Sequence, residues 1–148
     1  MAVQVRPLGD KDFFPWLDLF GGYSEFYESE LTDEKALTVW SWIIDKNHPL
    51  EGAVAVNDDD KMIGFAHYRE VPRTLTADRG LFLDDLFVAE DARHTGAGRA
   101  LIEFTKDFAR QKKLTQVQLV TAKDNTTAQK LYDQVGTKTD WVTYEIEL

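Results

Sequence analysis

The chain of 148 residues carries 17 Lys and Arg against 26 Asp and Glu, a formal charge of −9 and a sequence pI of about 4.7. This acidic balance argues against a nucleic-acid partner, which needs a cationic face to displace counterions, and leaves room for cationic small molecules. There is no cysteine, so disulfides, thiol nucleophiles and thiolate metal sites are excluded, and no apolar run approaches the roughly 18 residues of a membrane span.

The length suits one domain, residues 1–148. The amino terminus "MAVQVRPLGDKDF" is charged early and lacks an apolar h-region. No signal peptide is expected, and the simplest location is the cytosol. "AVQVRPL" reads as a first strand. Asp10 or Asp12 can then cap a helix whose apolar stripe is Phe13, Trp16, Leu17 and Phe20, with Gly21-Gly22 breaking it. "LTDEKALTVWSWIID" predicts a second helix, started by Thr32 or Asp33, with Leu37, Trp40, Ile43 and Ile44 toward the core. "EGAVAVN" and "MIGFAHYREV" flank the polar turn "DDDK" and make a hairpin. "GLFLDDLFV" is the next strand, followed by a helix from about Gly98 to Lys112 with Leu101, Phe104, Thr105 and Phe108 on one face. "QVQLVTA" is a strand, "NTTAQKLYDQVG" a helix ended by Gly136, and "DWVTYEIEL" a last strand. The order β-α-α-β-β-β-α-β-α-β predicts a mixed α/β sheet whose later strands include parallel neighbours joined by right-handed crossovers.

Two stretches carry chemistry. Arg93-His94-Thr95-Gly96-Ala97-Gly98 lies between a strand and a helix. A helix start offers unpaired N–H groups and the positive end of the dipole, which suit a phosphate. Glycines let the backbone approach an anion, and Arg93 adds a forked donor. Neither a P-loop nor the complete dinucleotide fingerprint is present, since Leu101 stands where the third glycine would be. The other stretch is the Asp84-Asp85 pair inside an apolar strand. Strand alternation predicts that the two point to opposite faces. A buried carboxylate needs a cation, a helix end or a hydrogen-bond network. It can therefore serve an acceptor amine, or be a structural carboxylate bonded to backbone amides near a bulge. No H-x-x-H, H-E-x-x-H or acidic loop supports a metal.

"RHTGAG" resembles the R/Q-x-x-G-x-G/A signature of the GNAT acetyltransferase superfamily, and "NTTAQKLYDQVG" resembles that family's N-x-x-A-x-x-x-Y-x-x-x-G element. The resemblance covers essentially the whole chain. "LDDLFV" and "SEFYESELTDEKAL" look closest to the diamine and polyamine branch, the spermidine/spermine-type N-acetyltransferases. His94 departs from the glycine common at its position, and Thr137 from a common aromatic.

The resemblance implies a GNAT fold, acetyl-CoA as cosubstrate and direct acetyl transfer to a primary amine, most simply a polyamine, diamine or other cationic metabolite. The alternatives are a protein, peptide or aminoglycoside acceptor, or a non-catalytic CoA-binding sensor. The main chain of Leu86, Phe87 and Val88 should pair with the pantetheine arm. Arg93 and the amides of His94, Thr95, Gly96, Ala97, Gly98 and Arg99 should hold the pyrophosphate. Asn125 should touch the cofactor, and Tyr132 should sit beside the thioester sulfur as the acid. Asp84 is the expected catalytic carboxylate, with Asp85, Tyr27 and Glu28 in the acceptor site and Tyr23 and Glu25 as further candidates. His67 is read as structural, or at a site rim. A small-molecule amine partner and a homodimer are expected, with no membrane or nucleic acid.

Overall fold

The structure, a computed structural model, describes residues 2–148. Strand β1 (Gln4–Pro7) leads through a short 3-10 turn into helices α1 (Phe13–Phe26) and α2 (Asp33–Ile44). Strands β2 (Leu50–Val56), β3 (Met62–Arg73) and β4 (Asp78–Val88) follow, then α3 (Ala97–Gln111), β5 (Val117–Leu119) and α4 (Thr126–Val135). The sheet order is β1-β2-β3-β4-β5. The first three pairings are antiparallel, with β2–β3 and β3–β4 joined as hairpins, and β4–β5 is parallel. A parallel pair needs a long crossover, and α3 supplies it.

The sheet separates two apolar layers. On one face Ala53, Ala55, Ala66, Tyr68, Leu81 and Leu83 pack against Leu101 and its neighbours on α3. On the other, Val54, Val56 and Phe65 meet Leu19, Phe20 and Tyr23 of α1, and Trp16 packs with Ala36 and Trp40 between α1 and α2. Phe65, Leu81 and Leu101 are fully buried, and burial of such side chains stabilises by roughly 1.5–3 kcal/mol each. Thr32 caps α2 by accepting from the Lys35 amide at 3.2 Å. Asp12 is buried and takes Arg6 at 2.7 and 2.9 Å and the Gly9 amide at 2.7 Å, tying β1 to the start of α1.

Four expectations are corrected. Helix α1 runs through Gly21-Gly22 to Phe26. Two mid-helix glycines cost about 1 kcal/mol each against alanine, and packing outweighs this, with the Phe87 ring against Gly22. In α2 the inward residues are Ala36, Val39, Trp40 and Ile43, while Leu37 and Ile44 are exposed. The fifth strand is only three residues long. Residues 140–148, expected as a last strand, form no strand and lie exposed, and the sheet ends at β1 on one side and β5 on the other. No described helix is long and apolar enough to cross a membrane.

Candidate active site

Strand β4 is paired along its length on one side and only in part on the other. Against β3 it is matched from Asp78 to Val88. Against β5 it is matched only at Leu81, Phe82 and Leu83. From Asp84 to Val88 the side toward β5 has no strand, so its peptide groups there are open to an extended ligand, which can pair with them as an added strand does. Leu86, Phe87 and Val88, the three residues expected to do this, all lie in that stretch. Arg93 Nε donates to the Val88 carbonyl at 3.3 Å and its guanidinium lies 5.8 Å from the Phe26 ring centre. Arg93 therefore stands where the strand edge meets the glycine turn.

That turn has two residues in the left-handed region, His94 at φ 66° and Gly96 at φ 87°. Thr95 Oγ1 donates to the Ala92 carbonyl at 2.6 Å and holds the bend. Helix α3 then begins at Ala97, and its first amides, those of Ala97, Gly98 and Arg99, have no acceptor within the helix. A Cβ on Gly96 would meet nothing within 4 Å, so the space over the helix start is open. A Cβ on Gly98 would lie 3.3 Å from Leu131 Cδ2, which is how α4 comes close. Arg99 turns its side chain to Gln134 on α4. The set of open amides fits a pyrophosphate by its donor chemistry.

The two aspartates sit on a bulge. His67 faces Asp85 across the β3–β4 ladder and Tyr68 faces Leu83, so Asp84 is an extra residue on β4. Asp85 Oδ2 lies 2.8 Å from His67 Nδ1, and Asp84 is held by Arg69 Nε at 3.0 and 3.2 Å. His67 and Arg69 are two residues apart and share one face of β3. Both carboxylates thus engage the face covered by α1 and α2, which corrects the expectation of opposite faces. Burial lifts the Asp84 carboxyl above its usual range despite Arg69. Burial lifts Asp85 too, but the His67 contact, with the nearby Tyr23 hydroxyl assisting, outweighs it and holds Asp85 below the usual range.

Asp85 also opens onto a cleft of about 850 Å³ between α1, α2 and β4, walled by Phe20, Tyr23, Tyr27 and Trp42. Glu30 and Glu34 line it, and Lys35 is the one cation among the described residues that do. Asp84 is not part of this wall. Glu25 and Glu28 line a separate hollow of about 610 Å³ with Asp18 and Asp33, away from Asp85. Of the acidic-aromatic candidates near the start of the chain, the structure brings Tyr23 and Tyr27 to Asp85 and leaves the two glutamates apart.

Asn125 caps α4, accepting from the Ala128 amide at 3.4 Å. Seven residues, or about two turns, later, Tyr132 is half-buried, and burial with the nearby Tyr27 pushes its hydroxyl up to about 12. It therefore stays protonated near neutral pH. Burial raises Tyr23 as well, and Tyr132 and Asp85 are among the groups that act on it. Tyr23, Tyr27 and Asp85 form one polar cluster on the cleft wall. Sequence reasoning missed Trp16 and Phe20 as members of this region, and read His67 as structural or at a site rim. Helical periodicity marks such aromatics as core, which they also are. Among the described residues no group of three or more His, Asp or Glu is placed to hold a metal ion.

Residues 16–137 match the model of the Acetyltransferase (GNAT) family. The chain is 35% identical to the D-amino-acid N-acetyltransferase HPA3 of Saccharomyces cerevisiae over 97% of its own length and 89% of that protein. It is 31% identical to the uncharacterized N-acetyltransferase YhfO of Bacillus subtilis, over 93% and 91%. The fold matches a ribosomal-protein-alanine N-acetyltransferase of Brucella melitensis at a TM-score of 0.83, 23% identity and full coverage of both chains. It also matches AAC(6')-Iy, solved in complex with a bisubstrate analog of CoA, at a TM-score of 0.86 and 19% identity over 100% and 99% of the chains.

Proposed function

The chain belongs to the acetyltransferase (GNAT) family and is an acetyl-CoA-dependent N-acetyltransferase, and on that premise we propose that its acceptor is a small primary amine bound with its ammonium at Asp85. The observation that carries this is the place of Asp85. It is a carboxylate held below the usual range, at the floor of an aromatic-walled cleft. Carboxylates and aromatic faces both attract ammonium groups.

Acetyl-CoA supplies the acetyl thioester. The open edge at Leu86, Phe87 and Val88 holds its extended arm, and the amides from His94 to Arg99, with Arg93, hold its phosphates. Asn125 fixes the start of α4 and thereby Tyr132. Asp85 receives the acceptor as an ammonium and orients its nitrogen. The ammonium gives one proton to water in the open cleft. Its freed lone pair forms the C–N bond to the acetyl carbon as the C–S bond to CoA breaks, and the second proton the nitrogen sheds returns through water to the donor of the sulfur's proton. Tyr132, protonated at neutral pH, is the proton donor to the departing sulfur. Asp84, paired with Arg69, sets the charge beside Asp85 from the bulge.

For the acceptor class we put amino acids, including D-enantiomers, first. The support is the relative at 35% identity that is named for D-amino acids, together with Lys35 on the cleft wall as a partner for an acceptor carboxylate. Diamines and polyamines are the second reading, favoured by Glu30 and Glu34 along the same wall. Thiol release from acetyl-CoA, followed with D- and L-amino acids, diamines and polyamines, separates the two. Turnover of amino acids above all other amines is the expected result. Turnover of polyamines alone reverses the order, and turnover of none removes the small-amine reading.

A homodimer belongs to the same proposal. Val142, Tyr144, Ile146 and Leu148 alternate with polar residues along an exposed segment, and a second copy would cover that apolar row. Light scattering gives the mass in solution, and a monomer at tens of micromolar would overturn the dimer.

A further inference from the structure

We propose that His67 is a positioning residue for acetyl transfer, and that Trp16, His67 and Asp85 form a buried line that aims the Asp85 carboxylate at the acceptor cleft. The proposal rests on the reading of Asp85 as the carboxylate that receives the amine.

The line begins in the core. Trp16 is fully buried, and its Nε1 donates to His67 Nε2 at 3.0 Å. An indole nitrogen can only donate, so His67 Nε2 must be the unprotonated, accepting nitrogen. The imidazole hydrogen therefore sits on Nδ1, which donates to Asp85 Oδ2 at 2.8 Å. His67 itself is 1% exposed, enclosed by Trp16, Phe20 and Phe65 with ring centres 4.6–6.0 Å away. Both ring nitrogens are committed, so His67 neither takes a proton from a substrate nor passes one on. What it can do is fix one oxygen of Asp85. A quarter of the Asp85 side chain stays exposed, at the cleft.

Three elements supply the charged and titratable groups around Asp85. Tyr23 on α1 shares the cleft wall with it, His67 stands on β3, and Asp84 with its Arg69 partner flanks it on the bulge. Farther out on the cleft wall are Tyr27, Glu30, Glu34 and Lys35. With one oxygen fixed by His67, Asp85 is an oriented anion in a half-buried site. Without His67, burial would dominate and the carboxyl would rise toward neutrality, and it would be free to rotate away from the cleft.

The test compares His67→Phe, which keeps a ring but has no hydrogen-bonding atoms, with His67→Gln, whose amide can both accept from Trp16 and donate to Asp85. His67→Phe is expected to lower kcat/KM for the amine by about 10- to 100-fold, the scale of a slightly misaimed group. It should also move the acid limb of the pH profile upward and leave the CoA dissociation constant unchanged. His67→Gln should restore most of the loss. An unchanged acceptor KM and acid limb in folded His67→Phe would overturn the positioning role. A second readout needs no variant. Nitrogen NMR of the neutral His67 ring in the wild type should show the Nδ1–H tautomer, and an Nε2–H tautomer overturns the line. Asp85→Asn separates the two layers. If it leaves amine kinetics intact, the acceptor reading itself fails; if it impairs them and His67→Phe does not, only the positioning role fails.

Discussion

Arg69 holds Asp84 by a single nitrogen, its Nε lying 3.0 Å from one carboxylate oxygen and 3.2 Å from the other, while Asp85 next to it is bound by His67. Adjacent residues on one strand thus have different partners, and only Asp85 lines the cleft. Asp85→Asn should lower kcat/KM for the amine by about 100-fold, the scale of a lost charged orienting group, with CoA affinity unchanged. Asp84→Asn should lower it by less than about tenfold. Steady-state kinetics of both variants across pH check this, and a larger loss in Asp84→Asn would reverse the assignment.

Gly96→Val should remove CoA binding. The side chain would occupy the open space over the α3 amides, at a φ of 87° that a β-branched residue resists. The wild type should gain thermal stability with CoA, because a ligand that binds only the folded state stabilises it. The variant should gain none. Equal stabilisation would move the phosphate site elsewhere.

Tyr132→Phe should lower kcat by roughly one to three orders of magnitude, since general acid catalysis is typically worth about 10²–10⁴-fold and water can replace part of it. The ring still packs, so CoA affinity should hold. The readout is single-turnover acetyl transfer by folded protein. A wild-type rate would make Tyr132 a packing residue.

Asp12→Asn should destabilise the fold by about 1.5–3 kcal/mol at pH 7, the range for hydrogen bonds to a charged group. Asp12 is held below its usual range by the Arg6 hydrogen bonds, with burial opposing and the Gly9 amide assisting. A lowered folded-state value means that the contribution is complete above the unfolded carboxyl value of about 3.9 and is lost as pH falls through the folded one. The gap between variant and wild type should therefore close below about pH 4. Urea midpoints at pH 7 and pH 3.5 measure it.

Periodicity and turn chemistry made most of the fold legible. The hairpin, the start of α2 at Thr32 or Asp33 and the glycine turn each rest on interactions a few residues apart. The glycine turn and Tyr132 stood out in the sequence as a motif pair with fixed spacing, and the roles given to them belong to the proposal. Three features were not. The run of α1 through Gly21-Gly22 depends on packing against Phe87, some 65 residues on, which no local pattern contains. The environment of Asp85 depends on an unpaired extra residue in β4 and on a tryptophan from α1. The exposed segment after α4 has a good strand pattern but pairs with no strand, and alternation reports a capacity to pair without naming a partner.

The extra residue in β4 makes the number of residues there matter more than their identity. Before it, Leu81 and Leu83 face α3; after it, Leu86 and Val88 do, while Phe87 faces α1. The odd-numbered residues hold that layer on one side of Asp84 and the even-numbered on the other. Removing Asp84 would restore plain alternation and turn one half of the strand over, carrying Asp85 and Phe87 away from α1 or Leu81 and Leu83 out of the α3 layer. Replacing Asp84 by asparagine keeps the count and so the arrangement. A one-residue deletion at position 84 should accordingly abolish CoA-linked thermal stabilisation that the Asp84→Asn protein retains, so this strand tolerates substitution but not a change in length.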